Sequence, residues 1–293
     1  LDTQSNYNMA LAVNPGDPDI VYLGGRYLFR SLDGFATNNY ESMIGGPSDM
    51  GHHVDQHCLV FPPGSFDVSY SGNDGGVHKT QNINSTVQEV AWTSLNNGYN
   101  TSQFYRIAID EEIPGNQMLI GGMQDNGNYF TMWSDAETPW IKHTGYDGGH
   151  CAVEDAGSPQ GYYLYSWQNG PLVRLTVDNT TGAMIAYTQF DPTEGGNYLW
   201  INPFIMDPVD NHMVFLGTSN GLWRNNDYSV IPDDTGGPVM THWDHVTTEP
   251  ADRHISALAI SPLEGRVLYF GTGGGLVFRL EGADVAPPGT IPT

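Results

Sequence analysis

Lysine is nearly missing from this chain. Its 293 residues hold only Lys79 and Lys142, and all ten Lys and Arg together face 33 Asp and Glu, for a net charge of −23. Such a field repels phosphate backbones and anionic headgroups, so nucleic acid and acidic membranes are poor partners. It favours cations and neutral ligands such as sugars. Cysteine is scarce as well: Cys58 and Cys151 allow one disulfide at most and make no disulfide framework. No apolar run approaches the roughly 18 residues of a spanning helix, so no membrane insertion is expected. Long helical windows are lacking too, because Gly, Pro and β-branched residues interrupt each of them. No Gly-x-Ser-x-Gly elbow marks a serine nucleophile. Gly273-Gly274-Gly275 leads into no helix, which argues against a phosphate loop.

What the chain does hold is Gly (36), Pro (19) and aromatics (16 Tyr, 11 Phe, 7 Trp), the composition of many short strands joined by tight turns. A period organises them. Met9 to Ser31, His57 to Thr80, Tyr105 to Phe130, His150 to Leu175, Pro203 to Asn225 and Ile255 to Leu280 share one grammar. An apolar strand runs into a polar turn, a second strand closes on a small residue, and a Gly-rich hairpin opens a third. The second strands close near Gly24, Gly72, Gly121, Ser166, Gly217 and Gly271, spacings of 48, 49, 45, 51 and 54 residues. This is the period of propeller blades, each a four-stranded sheet. The fold class expected is therefore all-β, a single β-propeller of about six four-stranded blades. It spans 1–284, with blades near 8–50, 53–98, 103–145, 149–198, 200–248 and 253–284. Blade six is short of a fourth strand, which residues 3–7 are expected to supply. Residues 285–293 read as a Pro-rich tail or linker.

The same residues carry a family likeness. Ser31-Leu32-Asp33-Gly34-Phe35-Ala36-Thr37 looks like an Asp-box, and Asn73 to Thr80 looks like a degenerate relative. The module resembles the Asp-box (BNR) repeats of sortilin-type and xyloglucan-hydrolase-type propellers. Over nearly its full length, the chain looks like secreted proteins described as "glycosyl hydrolase, BNR repeat". The segments shared include His53 to His57, Gly72 to Gly76, Gln103 to Tyr105, Gly122 to Gly127 and Asp147 to Gly149. The resemblance implies that Asp33 closes a hairpin rather than catalysing a reaction. It also implies a catalytic role for Asp74, which precedes Gly-Gly as the catalytic Asp does in xyloglucan hydrolases. Such labels name a fold more than an activity.

Chemistry has three candidate seats. Alternation along a strand would place His53, Asp55 and His57 on one face, a donor set suited to Zn²⁺, with Ca²⁺ preferring oxygens. Asp74 and Asp147 offer two carboxyls for an inverting glycosidase, which needs them roughly 6.5–9.5 Å apart. Asp125, His150, Tyr105 and Tyr146 come from corresponding turns or strand starts and are candidate ligand-binding residues. The alternative for all of these is a polar, hydrogen-bonded channel wall. Trp133, Trp140, Tyr146, Trp167, Tyr198 and Trp200 lie in or near loops, where aromatics either pack between blades or stack on sugars. No three-arginine clamp of the sialidase kind is present. Asn84, Asn100 and Asn179 open glycosylation sequons.

The reading that unites these features is a secreted or cell-surface propeller. Because the chain starts at Leu1, a processed or trimmed start is expected. It acts as a binding or assembly module, with a divalent cation (Ca or Zn) and glycans, and with a carbohydrate, a protein or further copies of itself as partner. A glycoside hydrolase acting on a β-glucan-type polysaccharide through Asp74 and Asp147 is the alternative, and a structural subunit of an extracellular polymer is a third.

Overall fold

The computed structural model describes residues 7–43, 51–98, 102–110, 117–133, 135, 137–192, 196–233, 239–249, 253–263 and 265–293. The architecture is all-β. Six antiparallel sheets follow one another along the chain, each a meander in which sequence neighbours pair, the blade plan of a β-propeller of about six blades. The chain condenses as two compact units, 1–102 and 103–293.

The first unit holds two blades. Blade one is β1 (Ala10–Asn14), β2 (Asp17–Gly24), β3 (Leu28–Ser31) and β4 (Tyr40–Ser42); blade two is β5 (Gln56–Val60), β6 (Ser69–Asn73), β7 (Gly76–Thr80) and β8 (Trp92–Ser94). Their facing side chains, Tyr22, Leu28, Met43, Leu59, Ile83, Val90 and Trp92, form one buried cluster. Gly24 permits this approach, because a Cβ there would lie 2.7 Å from Cβ of Gln56. The backbone of β5 is tied to blade one by Asp55 N donating to Arg26 O and Gln56 N to Gly25 O. Asp33 closes the β3–β4 connection: it accepts from the hydroxyls of Ser31 (2.8 Å) and Thr37 (2.5 Å). The hairpin role expected for it is thus realised.

The second unit holds four blades. Blade three is β9 (Phe104–Ile109), β10 (Leu119–Met123), β11 (Gly127–Thr131) and β12 (Ile141–Lys142). Blade four is β13 (Gly148–Ser158), β14 (Gln160–Trp167), β15 (Leu172–Asp178) and β16 (Met184–Gln189). Blade five is β17 (Phe204–Met206), β18 (Val214–Thr218), β19 (Gly221–Asn225) and β20 (Trp243–Thr247). Blade six is β21 (Ile255–Ile260), β22 (Leu268–Thr272) and β23 (Val277–Leu280). Three apolar clusters lie between successive blades, centred on Phe130 and Tyr163, on Phe190 and Tyr228, and on Phe215 and Phe270. Gly221 shows why the hairpins need glycine. Its φ is +113°, and a Cβ would fall 2.0 Å from the carbonyl of Thr247.

The tail is docked. Arg279 N donates to Thr293 O (2.7 Å) and Thr293 N to Arg279 O (2.9 Å), so the last residue pairs with β23 on its free side. Thr290 N reaches Val246 O. Of the residues 3–7 expected to complete blade six, all but Tyr7 lie outside the described residues.

A device absent from the sequence reading recurs between blades. Arg30 on β3, Arg174 on β15 and Arg224 on β19 are 4%, 3% and 5% exposed. Each guanidinium donates to main-chain carbonyls of the next blade, just after its third strand. Arg30 reaches Ile83 and Ser85; Arg174 reaches Tyr228, Ser229 and Ile231; Arg224 reaches Ala283 and Ala286. A carboxylate balances each charge: Glu41, Asp233 and Asp244 respectively. The cation is desolvated but both terminal nitrogens of each guanidinium are hydrogen-bonded, the condition under which a buried charge is tolerated.

Candidate functional site

In the first unit the candidate residues gather where β5 begins and where the β6–β7 hairpin turns. The alternation expected to align His53, Asp55 and His57 does not operate. Strand β5 starts only at Gln56, Asp55 has a left-handed φ of 62°, and the β5–β6 register shifts between Gln56 and Cys58. Each departure resets which way the next side chain points. His53 instead lies against Gly75, where a Cβ would meet its ring carbons, and its Nδ1 lies 3.1 Å from Val54 O.

His57 and Asp74 do meet: His57 Nε2 is 2.5 Å from Asp74 Oδ1. Tyr7 packs edge-on against the imidazole and directs its hydroxyl to the other oxygen of Asp74, at 3.4 Å. Asp55 is buried and accepts from Asn8 Nδ2 at 2.6 Å. Its burial raises the carboxyl above the usual range, and the negative charge of Asp74 raises it further. Two carboxylates that disfavour each other's charge, with imidazoles alongside, are a donor set a divalent cation would relieve.

Behind this group lies a buried pair of imidazoles. His52 and His78 have ring centroids 5.1 Å apart, His52 lies against Trp92 at 4.2 Å, and Asn73 Nδ2 points at both. Burial holds His52 down to about 3 and also lowers His78, so both are neutral at pH 7.

In the second unit Asp147 is buried and serves the backbone. Its Oδ1 accepts from Asp125 N at 3.1 Å, its amide donates to Gln168 Oε1, and its carbonyl accepts from Gln168 N. Asp125 itself sits at φ 57° in the β10–β11 turn. Tyr146 precedes Asp147, exposed, at φ 66°. His150 on β13 lies near Arg106 Nε of blade three (3.4 Å) and the Phe204 ring of blade five, and burial lowers it to about 4. Tyr105 is half-buried in β9. Asp74 belongs to the first unit and Asp147 to the second.

Both cysteines are free thiols; Cys58 is exposed, and burial pushes Cys151 up to about 12. The Asn84 amide is committed: Nδ2 donates to Phe66 O, and Oδ1 accepts from Asn14 Nδ2 and the Tyr22 hydroxyl. A glycan on Nδ2 would displace the first of these. Asn179 is half-buried in the β15–β16 turn, and Asn100 lies outside the described residues.

Sequence reasoning missed the clamp arginines and the buried His52–His78 pair. The arginines had a legible signal. Arg30, Arg174, Arg224 and Arg279 stand two residues past the partners of Gly24, Ser166, Gly217 and Gly271, with Lys79 two past the partner of Gly72 in blade two.

No family model matches the chain, and no curated protein does. Among solved structures, β-propellers share its strand plan. A chain of a mitotic checkpoint complex is 9% identical, with all of this chain and 80% of that one covered and a TM-score of 0.43. YCF48 bound to a D1 peptide is 9% identical, covering 93% of this chain and 77% of that one, TM-score 0.38. A GH74 xyloglucanase from Xanthomonas campestris is 15% identical, covering 89% of this chain and 42% of that one, TM-score 0.31. Likenesses this distant do not bear on what the chain binds. No described helix is long and apolar enough to cross a membrane.

Proposed function

We propose that this chain is an extracellular propeller module that binds a carbohydrate or protein partner at the cell surface rather than hydrolysing a polysaccharide. The observation that carries the reading is the use made of the two carboxylates that resembled catalysts. Asp74 is held by the His57 imidazole and the Tyr7 hydroxyl, and Asp147 is buried as a brace for its own and the neighbouring turn. A general acid needs a proton to give to substrate, and a base needs room for a water. Carboxylates spent on loop geometry instead hold a surface in shape. The net charge of −23 sets the ligand class as neutral or cationic.

A divalent cation held by the Asp55 and Asp74 carboxylates belongs to this proposal, as an organiser of the first unit's loops. Elemental analysis of the purified chain and of Asp55→Asn tests it. A stoichiometric metal lost in the variant supports it; none in either removes it. Binding is tested by capture of immobilised cell-wall polysaccharides and surface-protein extracts, with a reducing-sugar assay alongside. Capture without release of reducing ends supports a binding module. Turnover lost in Asp74→Asn overturns it in favour of the hydrolase.

A further inference from the structure

Three loops of the second unit are tied in series at one end of blades four and five. The β12–β13 loop is joined to the β14–β15 turn by Gln168 N to Asp147 O (3.0 Å) and Asp147 N to Gln168 Oε1 (2.8 Å). That turn is joined to the β16–β17 loop by Asn169 N to Trp200 O (3.0 Å). The outcome is a continuous polar ledge with a large aromatic residue at each end. Tyr146 is 70% exposed and Trp200 54%.

Two observations separate these rings from ordinary surface aromatics. Among the described residues neither ring has an aromatic neighbour, and neither Tyr146 Oη nor Trp200 Nε1 has a hydrogen-bond partner. Most other aromatics of the unit are in ring pairs or hydrogen bonds, as Trp167, Tyr198 and Trp243 are. Second, Tyr146 holds a φ of 66°. A bulky side chain avoids that region, and keeps to it only where its surroundings impose it. The double link between Asp147 and Gln168 fixes the residue that follows Tyr146. The phenol itself stands in solvent.

We propose that Tyr146 and Trp200 are the stacking surfaces of a site for a neutral oligosaccharide, with the amides of Gln168 and Asn169 hydrogen-bonding its hydroxyls between them. This rests on the binding reading above and names its ligand class. A pyranose ring has an apolar C–H face, which an exposed aromatic covers, and a rim of hydroxyls, which carboxamides satisfy as both donor and acceptor. Among the described residues the ledge offers no exposed charge: the Asp147 carboxylate is buried and accepts from Asp125 N. An anionic polymer would meet the chain's overall negative field and no local cation.

The test is titration of the whole chain with cellohexaose, mannohexaose and chitohexaose by calorimetry, in wild type, Trp200→Ala, Tyr146→Gly and Trp133→Ala. At least one sugar binds wild type; Trp200→Ala and Tyr146→Gly each weaken it ten-fold or more. Trp133→Ala, at a tryptophan 42% exposed away from the ledge, leaves affinity unchanged. Glycine accepts the φ of residue 146, so Tyr146→Gly loses affinity without losing melting temperature, which a structural role for the ring would not allow. Sugar binding that survives both ledge substitutions overturns the site and leaves the binding module standing. No binding by any of the three sugars also overturns it, and Trp200-dependent capture of a surface protein then reassigns the ledge to a protein partner.

Discussion

His212 and Glu154 meet across two adjacent blades, imidazole Nε2 to carboxylate oxygen at 2.9 Å. Glu154 lies on β13 of blade four and is 4% exposed; His212 stands in the β17–β18 turn of blade five. The hydroxyl of fully buried Tyr228 donates to the other carboxylate oxygen. Tyr228→Phe removes that donor and leaves a buried carboxylate under-bonded. It should destabilise the second unit by about 1–3 kcal/mol. Urea unfolding followed by tryptophan fluorescence measures this, and an unchanged midpoint would refute the role.

The clamp arginines make a sharper contrast. Arg174→Met strips donors from three carbonyls, so a loss of about 1–3 kcal/mol is expected. Arg279 occupies the same repeat position, but its guanidinium bonds to Glu281 and Tyr269 on its own blade, and its side chain is 42% exposed. Arg279→Met should leave the urea midpoint nearly unchanged. Equal effects at the two positions would mean that burial, not repeat position, was wrongly credited.

Stability should fall on mild acidification. His52 titrates near 3 and His150 near 4 when folded, both from an ordinary value of 6.5. Below 6.5 the unfolded chain takes up protons that the folded chain refuses. The stability their neutrality contributes is therefore complete above pH 6.5 and drains as pH falls towards the folded values, by at most about 1.4 kcal/mol per pH unit per residue. Asp55 and Asp191, raised by burial, act in the opposite sense because the folded state accepts their protons first. His52→Phe, which keeps a ring against Trp92, isolates the imidazole. Its urea midpoint should drop less than wild type between pH 7 and pH 5, and parallel curves would count against the prediction.

Thiol chemistry distinguishes the two cysteines. Exposed Cys58 should react with iodoacetamide in the native chain, whereas Cys151, pushed up to about 12 by burial, should react only in urea. Intact mass after labelling checks this: one adduct native, two denatured. Two adducts without denaturant would show that blades three and four open readily.

The repeat was legible because hairpin glycines and polar turns are local signals. Gly24, Gly217 and Gly271 all fall at strand ends where the spacing placed them. The site was less legible, for a physical reason. Period-2 alternation presumes an uninterrupted strand, and the left-handed Asp55 and the shifted pairing after Gln56 break it between His53 and His57. What replaced it, the contact of His57 with Asp74, depends on a partner 17 residues away. The clamp arginines were hidden differently: their partners are main-chain carbonyls, which every residue has and no side-chain motif announces.

Those arginines give the chain a direction in time. Blade four's Arg174 finds its acceptors at Tyr228 to Ile231, more than 50 residues later, and blade five's Arg224 finds its own at Ala283 and Ala286. During synthesis, each such blade emerges from the ribosome carrying a cation that cannot be buried until its successor has been translated. The earlier blade must keep that edge wet and unsettled while it waits. Maturation of these blades therefore proceeds as a relay, in which every newly made module completes the one before it.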